Sequence, residues 1–403
     1  MDIERLRAET PGCVNVIHLN NAGAGLMPRP VLDAVTGHLQ REAEIGGYEA
    51  RIEAATRLEA VYDSLASLLN AHRDEIAIVD NATRAFDLAF QALPLRDGDV
   101  ILTTSVDYPS NYLAYLCRRR EVEIEIRVVP EATTGEVSLD ALAEMLREPR
   151  VRALSLTHVP TQSGLLQPAE AAGRLARAAG CWFLLDATQT AGQLPIDVQA
   201  LGCDVLAATG RKFLRGPRAT GFLYVRQDRL PEMLPAVVDV HSATWTGPDS
   251  YEIVPTARRF EIWEQYFAGN LGLGAATDYA LAIGIDQIWQ RVRPIAAKLR
   301  ERLSTIPGLT LHDRGAEQCA IVSFTLDGHD PPDIRDCLAA HNPRINVSTS
   351  SINSARLDFP RRGLTQTVRA SVHYYNTEAE LDAFVDAVAG LSFEYPSPGP
   401  SPR

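Results

Sequence analysis

Two reactive side chains stand where a fold of alternating strands and helices would collect its functional residues. Asp186 ends the apolar run CWFLLD, and Lys212 follows the next run, DVLAAT, in the turn TGRKFLRGPRATG. Only two of the 39 basic residues are lysine. A lysine amine can condense with an aldehyde, whereas a guanidinium is always protonated and cannot. The turn therefore predicts Schiff-base chemistry at Lys212, with a carboxylate nearby.

Each residue of this pair has a simpler alternative. A strand-end aspartate often caps the next helix, and a lone lysine is commonly a solvated surface charge. An acid buried at the end of an apolar strand needs a partner, and a pyridinium nitrogen would provide one. Lys212 lies in a turn punctuated by glycine and proline, whereas Lys298 fits a solvated helix face in IAAKLRERL. Lys212 is therefore a better candidate for Schiff-base formation than Lys298.

Three further stretches suit a planar ligand that carries phosphate. DNATRAFDLAF runs from a strand into a helix, so the amides near Ala82 and Thr83 are expected to face an anion. Thr209 and Arg211 can complete such an anion site, and Tyr108 in SVDYPSN offers a flat ring for stacking. Taken singly, an ordinary helix cap, a surface arginine and a half-buried tyrosine explain these residues equally well.

The elements that must position these residues follow an α/β pattern. Short β-rich runs alternate with helical stretches, which predicts a mostly parallel sheet flanked by helices. Ligands of such sheets bind at the carboxyl ends of the strands. The predicted strands are EIAIV (75–79), DVILTT (99–104), EIEIRVVP (123–130), RALSLTHV (152–159), CWFLLD (181–186), DVLAAT (204–209) and TGFLYV (220–225).

The remaining pattern predicts a second, smaller α/β domain. PAEAAGRLARAAG (168–180) is typical of a crossover helix, and residues 270–303 predict a long helical connection broken near Pro294. A last helix is expected at TEAELDAFVDAVAG. We expect an N-terminal segment (1–25) near the active site and small domain, a large domain (26–275), a small C-terminal domain (276–393) and a disordered tail (394–403).

Composition excludes several classes of function. The net charge of −12 argues against a nucleic-acid partner. No apolar run is long enough for a membrane span, and the charged N-terminus lacks a signal-peptide pattern, so we expect a cytoplasmic protein. Six dispersed cysteines form no CxxC pair or Cys/His cluster, which predicts neither a metal site nor a disulfide framework.

The motifs together resemble a known family over nearly the whole chain. They are LNNAGAGLMP, DNATRAFD, SVDYPSN, LTHVPTQSG, LLDATQTAGQLPIDVQALGCDVLAATGRKFLRGPRATGFLYV and VRASVHYYNTEAELDAFV. This set resembles the class V aminotransferases, which are pyridoxal 5'-phosphate (PLP) enzymes of fold type I. The stretch from 181 to 225 is the most specific part.

The resemblance implies a role for each candidate residue. Lys212 would hold PLP as a Schiff base, Asp186 would pair with the pyridine nitrogen, and Gln189 would approach the phenolate oxygen. Tyr108 takes a ring-stacking position that is often histidine in the family, and Arg211 replaces a common histidine. The resemblance also assigns the following residues: phosphate contacts to Ala82, Thr83, Thr209 and Arg211, and substrate contacts to Ala22, Gly23, Thr161 and Arg369, the last for the α-carboxylate.

The family also implies a homodimer with shared active sites. GGYEAR (46–51) and ARRFEIWEQ (257–265) are candidates to reach the partner's site. The small-molecule partner expected from the resemblance is an amino acid.

The reaction is predicted from the segment before Arg369. Cysteine desulfurases of the family need a loop thiol there, but NVSTSSINSARLDFPRRGLTQTVRA contains serines and no cysteine. This disfavours a desulfurase. The turn at 211–221 and the VPTQSG loop resemble the branch of isopenicillin N epimerase-like proteins and carbon-sulfur lyases. We therefore predict β-elimination from an S-substituted cysteine, with aminotransfer, epimerisation and decarboxylating oxidative deamination as alternatives.

Two hypotheses from other classes are weaker. NAGAGLMP suggests a dinucleotide-binding dehydrogenase, but Pro28 stands where the third glycine of GxGxxG belongs. A non-catalytic binding protein of the same fold would not need both Lys212 and Asp186.

Overall fold

The fold is described by a computed structural model that covers residues 1–394, with side chains for residues 1–391. The strands are β1 (Val16–His18), β2 (Ile76–Val79), β3 (Val100–Thr103), β4 (Glu125–Val128), β5 (Val151–Thr157), β6 (Trp182–Asp186), β7 (Val205–Thr209), β8 (Gly221–Val225), β9 (Ala243–Gly247), β10 (Ser250–Ile253), β11 (Leu309–Leu311), β12 (Ile321–Leu326), β13 (Arg344–Asn346), β14 (Ser348–Ser351) and β15 (Gln366–Ser371). All seven strands predicted from the sequence are present as β2 to β8.

Helices flank and connect these strands. They are α1 (Ile3–Ala8), α2 (Arg29–Ile45), α3 (Gly47–Glu53), α4 (Ala55–Leu69), α5 (Ala82–Gln91), α6 (Pro109–Arg118), α7 (Leu139–Met145), α8 (Ala169–Ala178), α9 (Val198–Leu201), α10 (Phe267–Ile283), α11 (Ile285–Leu303), α12 (Pro331–Ala340) and α13 (Glu378–Glu394). Apart from Glu394, the predicted disordered tail lies outside the described residues.

The seven predicted strands form one sheet in the order β2-β8-β7-β6-β5-β3-β4. The five strands β7, β6, β5, β3 and β4 run parallel to one another, which confirms the predicted α/β class. Strand β8 runs antiparallel to both of its neighbours. The turn between β7 and β8 is too short for a helical crossover, so the chain returns directly beside the strand it has just left.

Close helix-sheet packing places the strand ends accurately. On α8, Gly173 lies so near α9 that an added Cβ would come within 1.9 Å of the Leu201 carbonyl oxygen. Ala172 and Ala176 are fully buried on the same helix. Small residues on this face let the helix approach the sheet, so larger side chains there would displace it.

A second sheet carries the C-terminal part of the chain. Its order is β11-β12-β15-β14, and all of its pairings are antiparallel. The N-terminal segment joins this region, because β1 pairs in parallel with β13 and Asn20 bridges to Ser371. The start of the chain therefore lies between the small sheet and the loops that carry the candidate site.

The helical connection differs from the prediction in one respect. Its break falls at Gly284, not near Pro294, which lies inside α11. Gly284 has φ +92°, a backbone conformation that glycine adopts without strain. Proline removes one helical hydrogen bond, and here the helix continues through it. Among residues 1–394, no helix combines the length and apolar character that crossing a membrane requires.

Candidate active site

A cavity of about 280 Å³ opens at the carboxyl ends of β6 and β7. It gathers seven residues proposed from the sequence: Ala82, Thr83, Tyr108, Asp186, Thr209, Arg211 and Lys212. It also contains residues that the sequence did not single out for the site: Asp80, Asn81, Asn111, Thr188, Arg218 and Ala219. The topology thus brings the proposed lysine and aspartate to one pocket.

Lys212 is buried in a tightly bonded turn. The amide of Gly210 donates to the Thr220 carbonyl at 3.0 Å, and the amide of Gly216 donates to the Gly210 carbonyl at 2.7 Å. Lys212 itself is 5% exposed. Burial holds its pKa well below the ordinary value of 10.5, and the charges of Arg211 and Arg369 lower it further. The lowered pKa favours the neutral amine, which is the form that attacks a carbonyl carbon.

Asp186 is 4% exposed and is oriented by two donors. Its Oδ1 accepts from the amide of Thr188 at 2.9 Å, and its Oδ2 accepts from Nδ2 of Asn111 at 3.0 Å. The carboxylate thus lines the cavity, and its hydrogen bonds within the described part of the chain come from an amide side chain and a backbone amide, not from an arginine or a lysine. A cationic ring nitrogen would supply the missing charge.

Asn111 links Asp186 to a second buried carboxylate, Asp107. Its Nδ2 also donates to Asp107 Oδ1 at 3.2 Å. Asp107 accepts further hydrogen bonds from the hydroxyls of Thr103, Thr157 and Tyr115, at 2.5, 2.7 and 2.6 Å. Burial raises the Asp107 pKa, and these hydrogen bonds oppose the shift. The network fixes the first turn of α6, where Asn111 lies.

Tyr108 is placed by the same network. It is the residue before α6, and its amide donates to Asp107 Oδ1 at 2.8 Å. Pro109 follows at the first helical position, where its fixed φ suits the start of a helix. The half-buried ring lines the cavity, as expected for a residue that stacks on a planar ligand.

The residues of the predicted anion site lie at the start of α5. The Asn81 side chain accepts from the amide of Arg84, which leaves the amides of Ala82 and Thr83 without that cap. Gly221 allows β8 to approach closely, since an added Cβ would lie 2.7 Å from Asn81 backbone atoms. The exposed Arg218 also lines this part of the cavity. Free amides and an arginine suit a phosphate group.

Two predicted phosphate contacts have partners within the protein. Thr209 Oγ1 donates to the Thr220 carbonyl at 2.9 Å, and Arg211 Nη1 donates to the carbonyl of Gly23. Arg211 therefore ties the N-terminal segment to the lysine turn. The Gly25 amide strengthens this tie by donating to the Arg211 carbonyl at 2.8 Å.

The predicted substrate residues form a second group around Arg369. Arg369 Nη1 donates to the Thr161 carbonyl and to Thr161 Oγ1, at 2.8 and 2.7 Å. Gln189 Nε2 donates to Thr161 Oγ1 at 3.0 Å and to the Ala22 carbonyl at 3.1 Å. Gly23 adjoins the group through the carbonyl that Arg211 binds. The four residues thus converge as the family resemblance implies.

Some buried polar atoms in this group have no hydrogen-bond partner among the described residues. They are Nε of Arg369, Oε1 of Gln189 and, in the adjoining cavity, Oγ1 of Thr188. Burial lowers the Arg369 pKa to about 10, and the charge of Arg211 contributes. Unsatisfied buried donors and acceptors are uncommon in folded proteins. These atoms fit a ligand with a carboxylate and an aromatic oxygen, as PLP and an amino acid would provide.

Arg215 holds the lysine turn from behind. It is 1% exposed and adopts φ +64°, and its amide donates to the Lys212 carbonyl at 3.0 Å. Its guanidinium donates to the Leu26 carbonyl at 2.7 Å, to Thr10 Oγ1 at 2.6 Å and to the Tyr374 hydroxyl. It also lies 4.6 Å from the ring centre of Tyr375. Three distant parts of the chain meet at this side chain.

The comparisons with known proteins agree with this architecture. Residues 17–384 match the family model described as Aminotransferase class-V. A protein of Xylella fastidiosa named "Probable cysteine desulfurase" is 33% identical over 96% of this chain and 95% of its own length. The cysteine desulfurase of Thermococcus onnurineus has a TM-score of 0.90 at 24% identity, covering 97% of this chain and 98% of its own.

A second similar structure concerns the cofactor directly. It is a mutant of the enzyme C-DES with glycine covalently linked to PLP, with a TM-score of 0.85 and 26% identity, covering 95% of this chain and 98% of its own. The chain belongs to the class V aminotransferase family. It is a PLP-dependent enzyme of fold type I.

The same comparisons correct the predicted reaction. The sequence favoured β-elimination from an S-substituted cysteine and disfavoured a desulfurase, with aminotransfer, epimerisation and oxidative deamination as alternatives. The relatives with full-length similarity are named cysteine desulfurases, so this prediction is wrong. The absence of a cysteine from the segment before Arg369 was therefore not sufficient to exclude a desulfurase.

Proposed function

We propose that this PLP-dependent enzyme is a cysteine desulfurase, which removes sulfur from L-cysteine and leaves L-alanine. The main structural support is the buried Lys212, which lines one cavity with Asp186 and whose pKa is lowered by burial and by the charges of Arg211 and Arg369. L-cysteine is proposed as the substrate because the full-length relatives are named cysteine desulfurases. The balanced reaction is L-cysteine plus a thiol, giving L-alanine plus a persulfide.

The residues of the cavity suggest how PLP is held. Lys212 attaches it covalently, Asp186 pairs with the ring nitrogen, and Tyr108 packs on the ring. The amides of Ala82 and Thr83 bind the phosphate together with Arg218, which the sequence did not suggest; Arg211 and Thr209 support the same site through their contacts to Gly23 and Thr220. Gln189 would donate from Nε2 to the ring oxygen, in exchange for one of its contacts to Ala22 or Thr161.

Arg369 is proposed to bind the substrate carboxylate. Its Nη1 is held by Thr161, while Nε has no partner in the protein and remains free for an anion. A planar guanidinium binds a carboxylate through two parallel hydrogen bonds. This contact orients the amino acid so that its α-carbon faces Lys212.

Lys212 is the proposed proton carrier. PLP, when bound, withdraws electrons from the substrate α-carbon. The Nζ of Lys212, neutral through burial, takes the α-proton and later returns a proton to the product. The surrounding arginines disfavour a persistent second positive charge, so the proton is passed on rather than retained.

We also propose a homodimer with shared active sites. Exposed apolar side chains gather beside the cavity: Tyr48, Ile52, Ile262, Trp263 and Tyr266. Ile262 and Tyr266 line a depression that includes Asp80 and Ala219, which also line the active-site cavity. An apolar patch that reaches the rim of the site suits a second subunit. Light scattering on wild type and on Ile52→Asp tests this, and a monomeric wild type would overturn it.

The domain division remains a proposal of the same kind. The seven-stranded and four-stranded sheets support a large domain over 26–275 and a small one over 276–393. The pairing of β1 with β13 supports placing residues 1–25 with the small domain.

The activity is tested on protein reconstituted with PLP. Borohydride should fix the cofactor on Lys212, and L-cysteine with added thiol should yield alanine. Lys212→Ala should abolish both results, whereas Lys298→Ala, which removes the exposed partner of Glu378, should retain them. Formation of pyruvate and ammonia in place of alanine, or no turnover of L-cysteine, would refute the proposal.

A further inference from the structure

The segment before Arg369 is anchored to the body of the protein. We call residues 351–364 the wall segment, because they connect β14 to β15 beside the Arg369 group. Asp358 within it is 1% exposed, and Phe359 is also 1% exposed. Ser351 and Ser354 cap one another's backbone at its start. Buried anchors and a capped turn leave the wall segment little freedom to move.

Two separate regions hold Asp358, which also pairs with Arg362 inside the wall segment. Arg314 donates to Asp358 at 3.3 Å, Gln162 donates at 3.5 Å, and Arg362 pairs with Asp358 at 3.4 Å. Arg314 also binds Glu131 at 2.7 Å, beyond the end of β4. Gln162 adjoins Thr161, the partner of Arg369. The wall segment is therefore fixed with respect to the substrate-binding arginine.

No cysteine of the chain is placed to receive sulfur. The wall segment contains none, and none lines the active-site cavity of the described residues. Cys181, Cys203 and Cys319 are buried, and burial raises the pKa of Cys181 and of Cys319 to about 12. The thiolate is the nucleophile, so such thiols are inert near neutral pH.

The remaining cysteines lie away from the cavity or are poorly ionised. Cys117 is exposed in the last turn of α6, whose first turn borders the cavity, so roughly 13 Å of helix separates it from Tyr108. Cys337 is exposed on α12. Cys13 is partly buried, and burial raises its pKa.

We propose that the sulfur acceptor is a small, freely diffusing thiol that enters the active-site cavity past a stationary wall segment. This inference rests on the proposed desulfurase activity and specifies its second substrate. The acceptor thiolate attacks the sulfur of the bound cysteine, a new sulfur-sulfur bond forms, and the bond between sulfur and the β-carbon breaks. The β-carbon gains a proton to become the methyl group of alanine. No oxidant or reductant is required.

The cavity supports a small acceptor. Its volume of about 280 Å³ must also hold PLP and the amino acid, so little space is left for the acceptor, and Lys212 in its wall is 5% exposed. Asp80 and Arg218 at its rim are exposed and mark an open side. A thiol on a folded partner would need a long extended segment to reach the same depth.

The test is a single turnover with PLP-loaded enzyme in excess over L-cysteine, so that no second cysteine serves as acceptor. Without added thiol, little alanine should form. Adding 2-mercaptoethanol should raise the alanine yield at least about tenfold, with the persulfide in the small-molecule filtrate. The double variant Cys117→Ser, Cys337→Ser should behave identically, because neither thiol participates.

The outcomes separate the two proposals. Full alanine yield without added thiol, with one sulfur retained on the protein by mass spectrometry, would overturn the external acceptor but keep the desulfurase. Stimulation only by a cysteine-containing protein would replace the small thiol by a macromolecular one and also overturn the inference. Absence of alanine under every condition would overturn the desulfurase itself. Hydrogen exchange provides a second readout, since amides of 351–364 should stay protected when L-cysteine is added.

Discussion

Asn111 donates a hydrogen bond of 3.0 Å from Nδ2 to Oδ2 of Asp186, and this contact couples the aspartate to a buried polar network. Asp107 receives the other hydrogen bond of Asn111 and anchors it. Asn111 therefore orients the carboxylate of Asp186, which is proposed to pair with PLP, and Asn111 itself forms no covalent bond to the cofactor. Asn111 is best described as a positioning residue.

Asn111→Ala should weaken PLP binding. The change leaves Asp186 with the Thr188 amide alone and deprives Asp107 of one donor. Loss of a buried hydrogen bond to a charged group costs about 1.5–3 kcal/mol, so the Kd for PLP should rise roughly tenfold or more. Fluorescence titration of the apoprotein measures this, and Asn353→Ala, at an exposed position, is the matched control. Equal affinities for wild type and Asn111→Ala would show that the network does not orient Asp186.

Lys212→Met should stabilise the apoprotein near neutral pH. Because the folded pKa of Lys212 lies well below 10.5, the unfolded chain binds a proton that the folded chain does not. The free energy of unfolding of the wild type should therefore rise with pH up to about 10.5. Lys212→Met lacks this contribution to the pH dependence. The stability advantage of Lys212→Met should be largest near pH 7 and shrink as the pH approaches 10.5.

Urea unfolding of both apoproteins across this pH range measures the difference. Lys298→Met, at a half-exposed position, should show no comparable gain. A wild-type apoprotein that is more stable than Lys212→Met at pH 7 would contradict the lowered pKa.

Arg369→Lys should impair substrate binding without loss of PLP. A lysine offers no planar fork for the carboxylate, and at this buried position its own pKa would fall, as it does for Lys212. We expect kcat/KM to fall by about a hundredfold, mainly through KM, which corresponds to about 2.7 kcal/mol. Steady-state alanine formation measures this, and Arg335→Lys, on the exposed face of α12, is the control. An unchanged KM would remove Arg369 from the carboxylate site.

Arg215→Lys should destabilise the protein strongly. Lysine cannot make the contacts to Leu26, Thr10 and Tyr374 at once, and it leaves buried acceptors unpaired. A loss of about 3 kcal/mol is expected when a buried charged partner is broken. Thermal unfolding checks this against Arg57→Lys, which changes an exposed arginine. A shift no larger than that of the control would show that the guanidinium contacts are dispensable.

Much of the fold was predictable because the apolar runs of the large sheet are short and clearly bounded. The predicted strand 181–186 became Trp182–Asp186, and 204–209 became Val205–Thr209. The direction of β8 was not predictable from its composition, since a buried strand looks the same in either direction. The helix break was misplaced because the positive φ of Gly284 is a stronger interruption than Pro294, which α11 tolerates.

The site was predictable at its lysine and aspartate, and less so at their supports. Lys212 was recognisable from its chemistry against an arginine-rich background. Asn111 was not, because an asparagine in the first turn of a helix usually caps it, and only the order of β3, β5 and β6 brings it opposite Asp186. A polar cluster directly after a strand, DYPSN, was the available signal. The exposed Arg218 carried no signal of its own.

Arg215 has a consequence for the order in which the protein can become active. Its contacts reach back to Thr10 and forward to Tyr374, so the lysine turn gains its support only when both ends of the chain are present. A nascent chain released after the large sheet would contain Lys212 and Asp186 but lack the tyrosines that enclose Arg215. Synthesis of the segment after β15, which carries Tyr374 and Tyr375, therefore completes the support of the lysine turn.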